Sequence, residues 1–226
     1  REIESPKGYV LSEEEIAVTI GKVDEVVEIE LVNYFIKGNI ALTKVDEDYP
    51  DNKLSGAVFE VYSDTNGDGK LDKDDTLLGE MKELDGGVYQ MSELRYGKYL
   101  VKETKAPTGF VLDEDVYAVS IEENGKTYTV ENKAGVGFIN AAQKGSLKIV
   151  KTSSDGKVEG FSFRVTGVDY DQTFKTDKNG EIVIEGLRIG DYTVSEVSDK
   201  ASAGYILPAD KQATVKVNAT AIVQMH

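Results

Sequence analysis

Two stretches of the chain repeat one spacing of an asparagine and a lysine. Asn33 precedes Lys44 by 11 residues, and Asn140 precedes Lys151 by the same 11 residues. The two pairs lie 107 residues apart, and a glycine five residues after each asparagine opens the matching segments GNIALTKVD and GSLKIVKTS. A fixed period of this kind indicates tandem copies of one structural unit. The chain is therefore expected to fold as successive related domains.

Apolar and polar residues alternate along most of the chain, and helical periodicity is nearly absent. Turn signals separate the alternating segments, at 85–87, 124–125, 155–156 and 179–180. Short strands at regular spacing are typical of antiparallel β-sandwiches, so we predict an all-β protein. We divide it into three units: 1–36 as the back part of a preceding repeat, 37–143 as a complete domain, and 144–226 as a second domain that stops before its last strand is complete.

Composition excludes several classes of site. The chain has no cysteine, which rules out disulfides, thiol nucleophiles and cysteine zinc sites. Its one histidine is His226, so a histidine-based triad or a site with several histidines is excluded. A net charge of −15 disfavours nucleic acid and anionic lipid as partners. No apolar run is long enough to span a membrane, and we expect no membrane contact in this part of the protein.

A lysine, a glutamate and an asparagine are predicted to project into the apolar core from three strands. Alternate residues of a strand share a face. On that rule each polar residue shares its face with an apolar one: Lys44 with Leu42, Glu103 with Val101, and Asn140 with Phe138. Burying an unpaired charge costs several kcal/mol, so such positions need an explanation.

Three hypotheses account for these residues. The first is a buried ion pair between the lysine and the glutamate, with the asparagine as a hydrogen-bond partner. In the second, all three lie at strand ends and reach solvent. In the third, a desolvated lysine becomes a neutral nucleophile, while a desolvated glutamate stays protonated and hydrogen-bonds the asparagine carbonyl oxygen. Attack by the amine then expels ammonia and leaves an amide bond between two strands, with no cofactor.

The segments GNIALTKVD, YLVKETKAPTGF and GVGFIN together resemble the B-type repeat of Cna-like surface proteins. These are prealbumin-like β-sandwiches in the adhesins and pilins of Gram-positive bacteria, and they form internal isopeptide bonds. The pattern E-x-x-x-P-x-G-aromatic starts at Glu103 and again at Glu2, and a copy without the proline starts at Glu196. The resemblance covers essentially the whole chain and implies tandem immunoglobulin-like or prealbumin-like sandwiches preceded by a partial repeat.

The resemblance implies that Lys44, Glu103 and Asn140 are the isopeptide-forming residues of the middle domain. Asn132 is a rival to Asn140, but Asn140 reproduces the spacing of Asn33.

The other two units carry incomplete sets. Lys151 and Glu196 map likewise onto the last domain, where the next inward position would be residue 227 and Asn218 is a poor substitute. Glu2 and Asn33 map onto the partial repeat, which lacks the strand that would carry its lysine.

An acidic loop, DTNGDGKLDKDD at 64–75, interrupts the middle domain. Oxygen donors fall at the spacing that wraps calcium: Asp64, Asn66, Asp68, the backbone carbonyl of Lys70, Asp72 and Asp75. The loop resembles those of dockerins and of calcium-binding B-repeats. The alternative is an acidic turn that matches the spacing by chance.

These features predict a structural stalk domain of an extracellular, cell-wall-attached adhesin or pilin. Its expected partners are neighbouring repeats and an unknown host or bacterial ligand. It is not expected to be an enzyme beyond a single self-modifying turnover. The alternative is a carbohydrate- or protein-binding module that uses exposed tyrosines such as Tyr49, Tyr89 and Tyr170.

Overall fold

The computed structural model describes residues 1–167 and 169–226, which form two compact units, Arg1–Ala141 and Ala142–His226. Regular structure in these described residues consists of β-strands, which confirms the all-β prediction. None of the described residues belongs to a helix long and apolar enough to cross a membrane. The domain boundaries at 36/37 and 143/144 stay predictions.

The first unit is a two-sheet sandwich. Its strands are β1 (Lys37–Asp46), β2 (Val58–Ser63), β3 (Thr76–Glu80), β4 (Lys82–Asp85), β5 (Val88–Arg95), β6 (Gly97–Lys105), β7 (Val116–Ile121), β8 (Thr127–Thr129) and β9 (Phe138–Asn140). One sheet has the order β4-β5-β1-β8, with β9 also paired to β1, and the other has the order β3-β2-β6-β7. Both end strands of the domain, β1 and β9, therefore lie in hydrogen-bonded contact.

The core of this unit lies between the inward faces of its sheets. Ile40, Phe59, Val101 and Phe138 are fully buried. Side chains alternate in direction along a strand, so a polar residue two positions after a buried apolar residue also points into the core. Lys44 follows Ile40 and Leu42 on β1 in this way.

The second unit repeats the arrangement with fewer strands. These are β10 (Lys144–Lys151), β11 (Ser162–Gly167), β12 (Tyr170–Lys175), β13 (Glu181–Arg188), β14 (Gly190–Val197), β15 (Lys211–Val215) and β16 (Thr220–Met225). The sheets have the orders β13-β10-β16 and β12-β11-β14-β15. Leu147, Ile149, Phe163, Val194 and Val223 fill the space between them.

Residues 1–36 belong to the first unit but contribute no strand element to its sheets. A bridge joins Tyr9 to Phe35 within this segment, and the Tyr96 amide donates to the Ile36 carbonyl at 2.9 Å, which ties the segment to the sandwich. The alternation rule also predicts that Ile29, Leu31 and Asn33 share an inward face. That prediction is wrong, since Ile29 and Leu31 are 47% and 51% exposed. An inward face requires an opposing sheet, and these residues have none in the structure.

The tyrosines suggested for a binding surface do not form one set. Tyr89 is 1% exposed, and its hydroxyl accepts a hydrogen bond from the Ala57 amide at 3.0 Å. It is a core residue on β5, which corrects the expectation that it is exposed. Tyr49 is 46% exposed, whereas Tyr170 is partly buried against the core of the second unit.

Candidate cross-linking site

Three strands bring Lys44, Glu103 and Asn140 to one point in the core of the first unit. Lys44 lies on β1, and Glu103 lies on β6 of the opposite sheet. β9 runs parallel to β1, with Phe138 opposite Lys44 and Asn140 opposite Asp46. Asn140 is thus two residues further along the same inward face, within diagonal reach of a long side chain.

The three side chains form a closed set of contacts. Lys44 Nζ donates hydrogen bonds to Asn140 Oδ1 and, at 3.1 Å, to the Phe138 carbonyl. Asn140 Nδ2 donates to Glu103 Oε1 at 3.0 Å and Oε2 at 2.9 Å. Lys44 Nζ lies 3.7 Å from Glu103 Oε1. The exposed fractions are 0% for Lys44 and Glu103 and 3% for Asn140, so the strand-end hypothesis is wrong.

The orientation of the asparagine differs from the expected one. The third hypothesis from the sequence predicts that a protonated glutamate hydrogen-bonds the carbonyl oxygen of Asn140. In the structure that oxygen accepts from Lys44, and the amide nitrogen faces Glu103. Glu103 is therefore placed beside the leaving nitrogen, while the amine lies against the carbonyl group that it would attack.

Burial shifts the pKa values of the ionisable pair toward neutral forms. Loss of hydration lowers the pKa of Lys44 to about 8, although Glu103 and Asp113 oppose the shift. Loss of hydration also raises the pKa of Glu103, against the hydrogen bonds from the Asp113 amide and Asn140. The amine is thus poised to be a nucleophile near neutral pH.

Aromatic rings enclose the site. Lys44 Nζ lies 4.9 Å from the centroid of the Phe138 ring. Phe138 makes edge contacts with Phe59 and Tyr117, at centroid distances of 4.9 and 5.0 Å. These rings exclude water from the amine, which is the physical cause of its low pKa.

The second unit carries a buried pair at the matching position. Lys151 Nζ lies 2.9 Å from Glu196 Oε2, and the residues are 3% and 8% exposed. Parallel pairing of β10 and β16 places Met225 opposite Lys151, as Phe138 lies opposite Lys44. Within the described residues, Glu196 Oε1 is buried and has no hydrogen-bond partner. Asn218, the poor substitute, lies in the turn before β16 with a φ of 52°.

Residues 1–36 reproduce the glutamate–asparagine half of the site. Asn33 Nδ2 donates to Glu2 Oε1 at 2.8 Å, and the Ser12 amide donates to Glu2 Oε2 at 2.8 Å. These amide hydrogen bonds lower the pKa of Glu2, the reverse of the shift at buried Glu103. The same carboxylate–amide contact is therefore accompanied by opposite pKa shifts, depending on whether the glutamate is enclosed.

Comparison with known families identifies both units. The prealbumin-like fold domain family named SpaA matches residues 38–134 and 145–226. The chain belongs to this SpaA family. Membership confirms the prealbumin-like fold that the sequence resemblance implied. No curated protein matches the chain.

Solved structures similar to these SpaA domains include the Bacillus anthracis TIE protein. It matches 100% of this chain with 28% identity and a TM-score of 0.74, and the chain spans 40% of its length. The shaft pilin SpaA of Lactobacillus rhamnosus GG matches 84% of the chain and 98% of its own length, with 15% identity and a TM-score of 0.37. The Streptococcal ancillary pilin matches 99% of the chain and 73% of its own length, with 19% identity and a TM-score of 0.36.

The acidic loop joins β2 to β3 in the first SpaA domain and is closed by its own hydrogen bonds. Asp64 accepts from the amides of Gly67 and Gly69 at 2.7 and 3.1 Å. Asp75 accepts from the amides of Thr65 and Asp72 at 3.0 and 2.9 Å. The remaining predicted ligands also bond within the loop: Asn66 to Asp72, and the Lys70 amide to Asp68.

The donor set of this loop fits calcium in its chemistry, since the ligands would be carboxylate, amide and carbonyl oxygens. In the part of the chain that the structure describes, no group of three or more acidic or histidine side chains converges to hold a metal ion. Calcium binding therefore stays a prediction of the sequence spacing.

Three further side chains adjoin the site of the first SpaA domain, and the sequence named only Asn132 among them, as a rival to Asn140. Asp113 supplies the backbone amide that donates to Glu103 Oε2 at 2.8 Å. Tyr117 and Asn132 both donate to the Asp113 carboxylate, at 2.8 and 2.7 Å. One signal in the sequence pointed to this position: Asp113 follows Glu103 by ten residues, as Ser12 follows Glu2.

Proposed function

We propose that this chain provides stalk domains of an extracellular, cell-wall-attached adhesin or pilin, and that the first SpaA domain is stapled by a Lys44–Asn140 isopeptide bond. Family membership supports the structural role. One observation carries the cross-link: the amine, the carboxamide and the carboxyl group meet in a buried site. An ion-pair role alone leaves unexplained why Asn140 bridges the other two groups.

The reaction needs only these three side chains. Neutral Lys44 Nζ attacks Asn140 Cγ, and the new Nζ–Cγ bond forms as the Cγ–Nδ2 bond breaks. Glu103 gives its proton to the departing Nδ2 and takes one from Nζ, so that it ends protonated as it began. Ammonia leaves, and the product is a neutral secondary amide.

The fold supplies most of the catalytic effect. Holding reactants in contact is worth roughly 7–11 kcal/mol compared with free encounter in solution. The buried charges also disappear on reaction, which removes their desolvation cost. A surface cavity lined partly by Asp113, Asn132 and Asn140 adjoins the site and gives the ammonia a way out.

The position of the bond suits a protein under tension. Force enters the domain at β1 and leaves after β9, and these strands pair directly. Without a covalent bond, pulling separates the two strands and unravels the residues between them. A bond between Lys44 and Asn140 carries the load across the domain and leaves the residues between them unstretched.

Intact mass tests the cross-link. The wild-type chain should be one ammonia lighter than its sequence, and digestion should yield a branched peptide joining Lys44 to Asn140. Lys44→Ala and Glu103→Ala should each restore the full mass. Lys151→Ala is the matched control, because it removes the equivalent lysine of the other domain and should leave the mass loss in place. A wild-type chain of full mass would refute the cross-link.

Calcium is a separate proposal for the 64–75 loop, supported by the spacing of its oxygen donors along the sequence. Adding calcium should raise the melting temperature of the first domain, and chelator should reverse the change. Asp64→Ala combined with Asp68→Ala should remove the response. Equal melting curves with calcium and with chelator would eliminate the ion site.

A further inference from the structure

Asn132 holds the strand that presents Asn140. Its Oδ1 accepts from the Ile139 amide at 2.6 Å, and its Nδ2 donates to the Ile139 carbonyl at 2.9 Å. One side chain thus binds both backbone polar groups of the residue before Asn140. β9 is only Phe138–Asn140, and Val45 of β1 lies opposite Ile139 on the other side of that strand.

A second chain of contacts links Asn132 to the glutamate of the site. Asn132 Nδ2 also donates to Asp113 Oδ2 at 2.7 Å, and the Asp113 amide donates to Glu103 Oε2 at 2.8 Å. Glu103 and Asn140 are therefore connected twice, once directly and once through Asp113, Asn132 and Ile139. Such a closed ring fixes the separation and the angle of the two reacting groups.

We propose that Asn132 is a positioning residue for isopeptide formation, acting through Ile139 on Asn140 and through Asp113 on Glu103. This inference rests on the proposed function. Asn132 does not touch the reacting atoms, so its contribution lies in geometry rather than in proton transfer. A displacement of about 1 Å in a reacting group can slow a reaction about 100-fold, so a clamp on a three-residue strand has a large effect on rate.

The test follows the loss of ammonia over time after cell-free synthesis of the full chain, by intact mass. Asn132→Ala should slow the loss about 10- to 100-fold relative to wild type. Asn39→Ala is the matched control, since Asn39 lies at the other end of β1 and also joins segments through its side chain, to Thr127 and the Glu93 amide. The control should react at the wild-type rate.

A Lys44→Met background separates geometry from stability. There the reaction is impossible, and chemical unfolding reports whether Asn132→Ala leaves the domain folded under the assay conditions. A domain that stays folded yet reacts slowly when Lys44 is present supports positioning. A rate that falls only as far as the folded fraction falls would overturn it.

Asn132→Asp adds a readout that a merely structural role would not move. A carboxyl group at 132 has one proton, so it donates to either Asp113 or the Ile139 carbonyl, and only when protonated. The Asp113 charge raises its pKa. The pH of fastest reaction should therefore shift to lower values in this variant, and an unshifted profile would contradict the clamp. If wild type loses no ammonia, the proposed function fails. If wild type reacts and Asn132→Ala matches its rate, only the clamp fails.

Discussion

The two SpaA domains carry the same buried lysine–glutamate pair but differ in what meets it. In the first domain, Asn140 bridges the pair and the Asp113 amide satisfies the glutamate. In the second, Lys151 contacts Glu196 directly, and Oε1 of that glutamate is left without a partner among the described residues. The comparison places the proposed reactivity in the first domain, where a third group lies between the lysine and the glutamate.

The bridging geometry is visible in the distances. Lys–Glu separation is 2.9 Å in the second domain and 3.7 Å in the first, where the carboxamide lies between the two groups. A short direct contact is a salt bridge between the two side chains. A longer contact with a carboxamide between the two groups is the arrangement that the proposed reaction needs, because the amine then faces the carbonyl group.

The largest expected effect is the loss of stability when the buried lysine is replaced, and its cause should differ between the two domains. Lys44→Met should destabilise the first domain by about 4–5 kcal/mol, the value for a staple closing a loop of about 100 residues. Lys151→Met should cost the second domain about 3–5 kcal/mol, because it leaves Glu196 buried without its partner. Hydrogen exchange read by mass spectrometry reports each domain separately in the full chain.

A double variant distinguishes the two causes. Lys151→Met combined with Glu196→Leu should restore the second domain to wild-type stability or above, since apolar replacements of a buried pair are commonly neutral or stabilising. Lys44→Met combined with Glu103→Leu should stay destabilised, because the lost covalent bond is not replaced. Recovery of the first domain to the same extent would mean that its trio is only an ion pair.

The next expected effect is a pH profile confined to the first domain. The reactive form holds one proton across the pair, with Lys44 neutral and Glu103 protonated. Above about pH 8, the pKa of Lys44, that proton is lost and Glu103 has none to give. Below the raised pKa of Glu103, both groups are protonated and Lys44 is no nucleophile.

The rate of ammonia loss should therefore be greatest between these two pKa values and fall by about tenfold per pH unit outside them. Time courses of intact mass after cell-free synthesis, transferred to buffers of different pH, measure the profile. A rate that keeps rising well above pH 8 would show that Glu103 is not required as an acid.

Alternation and the internal repeat were enough to predict the sheet class and the inward direction of Lys44, Glu103 and Asn140. Side-chain direction in a strand has a period of two, so a strand that is apolar on one face fixes where its polar exceptions point. The parallel pairing of β1 and β9 then brings Asn140 within reach of Lys44. No local pattern states that pairing; the common spacing in two repeats favours Asn140 over Asn132 but does not say which strands pair.

Other features depend on contacts that sequence patterns do not encode. The role of Asn132 arises because the turn at 133–137 folds the chain back and sets Ile139 beside it. The orientation of the Asn140 carboxamide depends on which neighbour donates, and Lys44 outcompetes Glu103 for its oxygen. The exposed face of Ile29 and Leu31 shows the converse, since alternation predicts burial only where a second sheet exists to cover it.

The smallest expected effect comes from a tyrosine hydrogen bond that both domains share, and it should be equal in the two. It tests whether the proposed difference in reactivity is confined to the cross-linking site. Tyr99 donates to the Arg95 carbonyl at 2.6 Å, and Tyr192 donates to the Arg188 carbonyl at 2.9 Å, each four residues back along the chain. Both rings are buried, at 7% and 1% exposure. Replacing either hydroxyl leaves a carbonyl without this donor.

Tyr99→Phe and Tyr192→Phe should therefore each cost about 1 kcal/mol, measured by hydrogen exchange of the domain concerned. Neither should change the loss of ammonia, because the hydrogen bond closes a strand junction away from the lysine. If Tyr99→Phe slowed ammonia loss while its stability cost matched that of Tyr192→Phe, the reactivity of the first domain would depend on its whole scaffold. Unchanged kinetics would place the difference in the bridging asparagine and the groups that hold it.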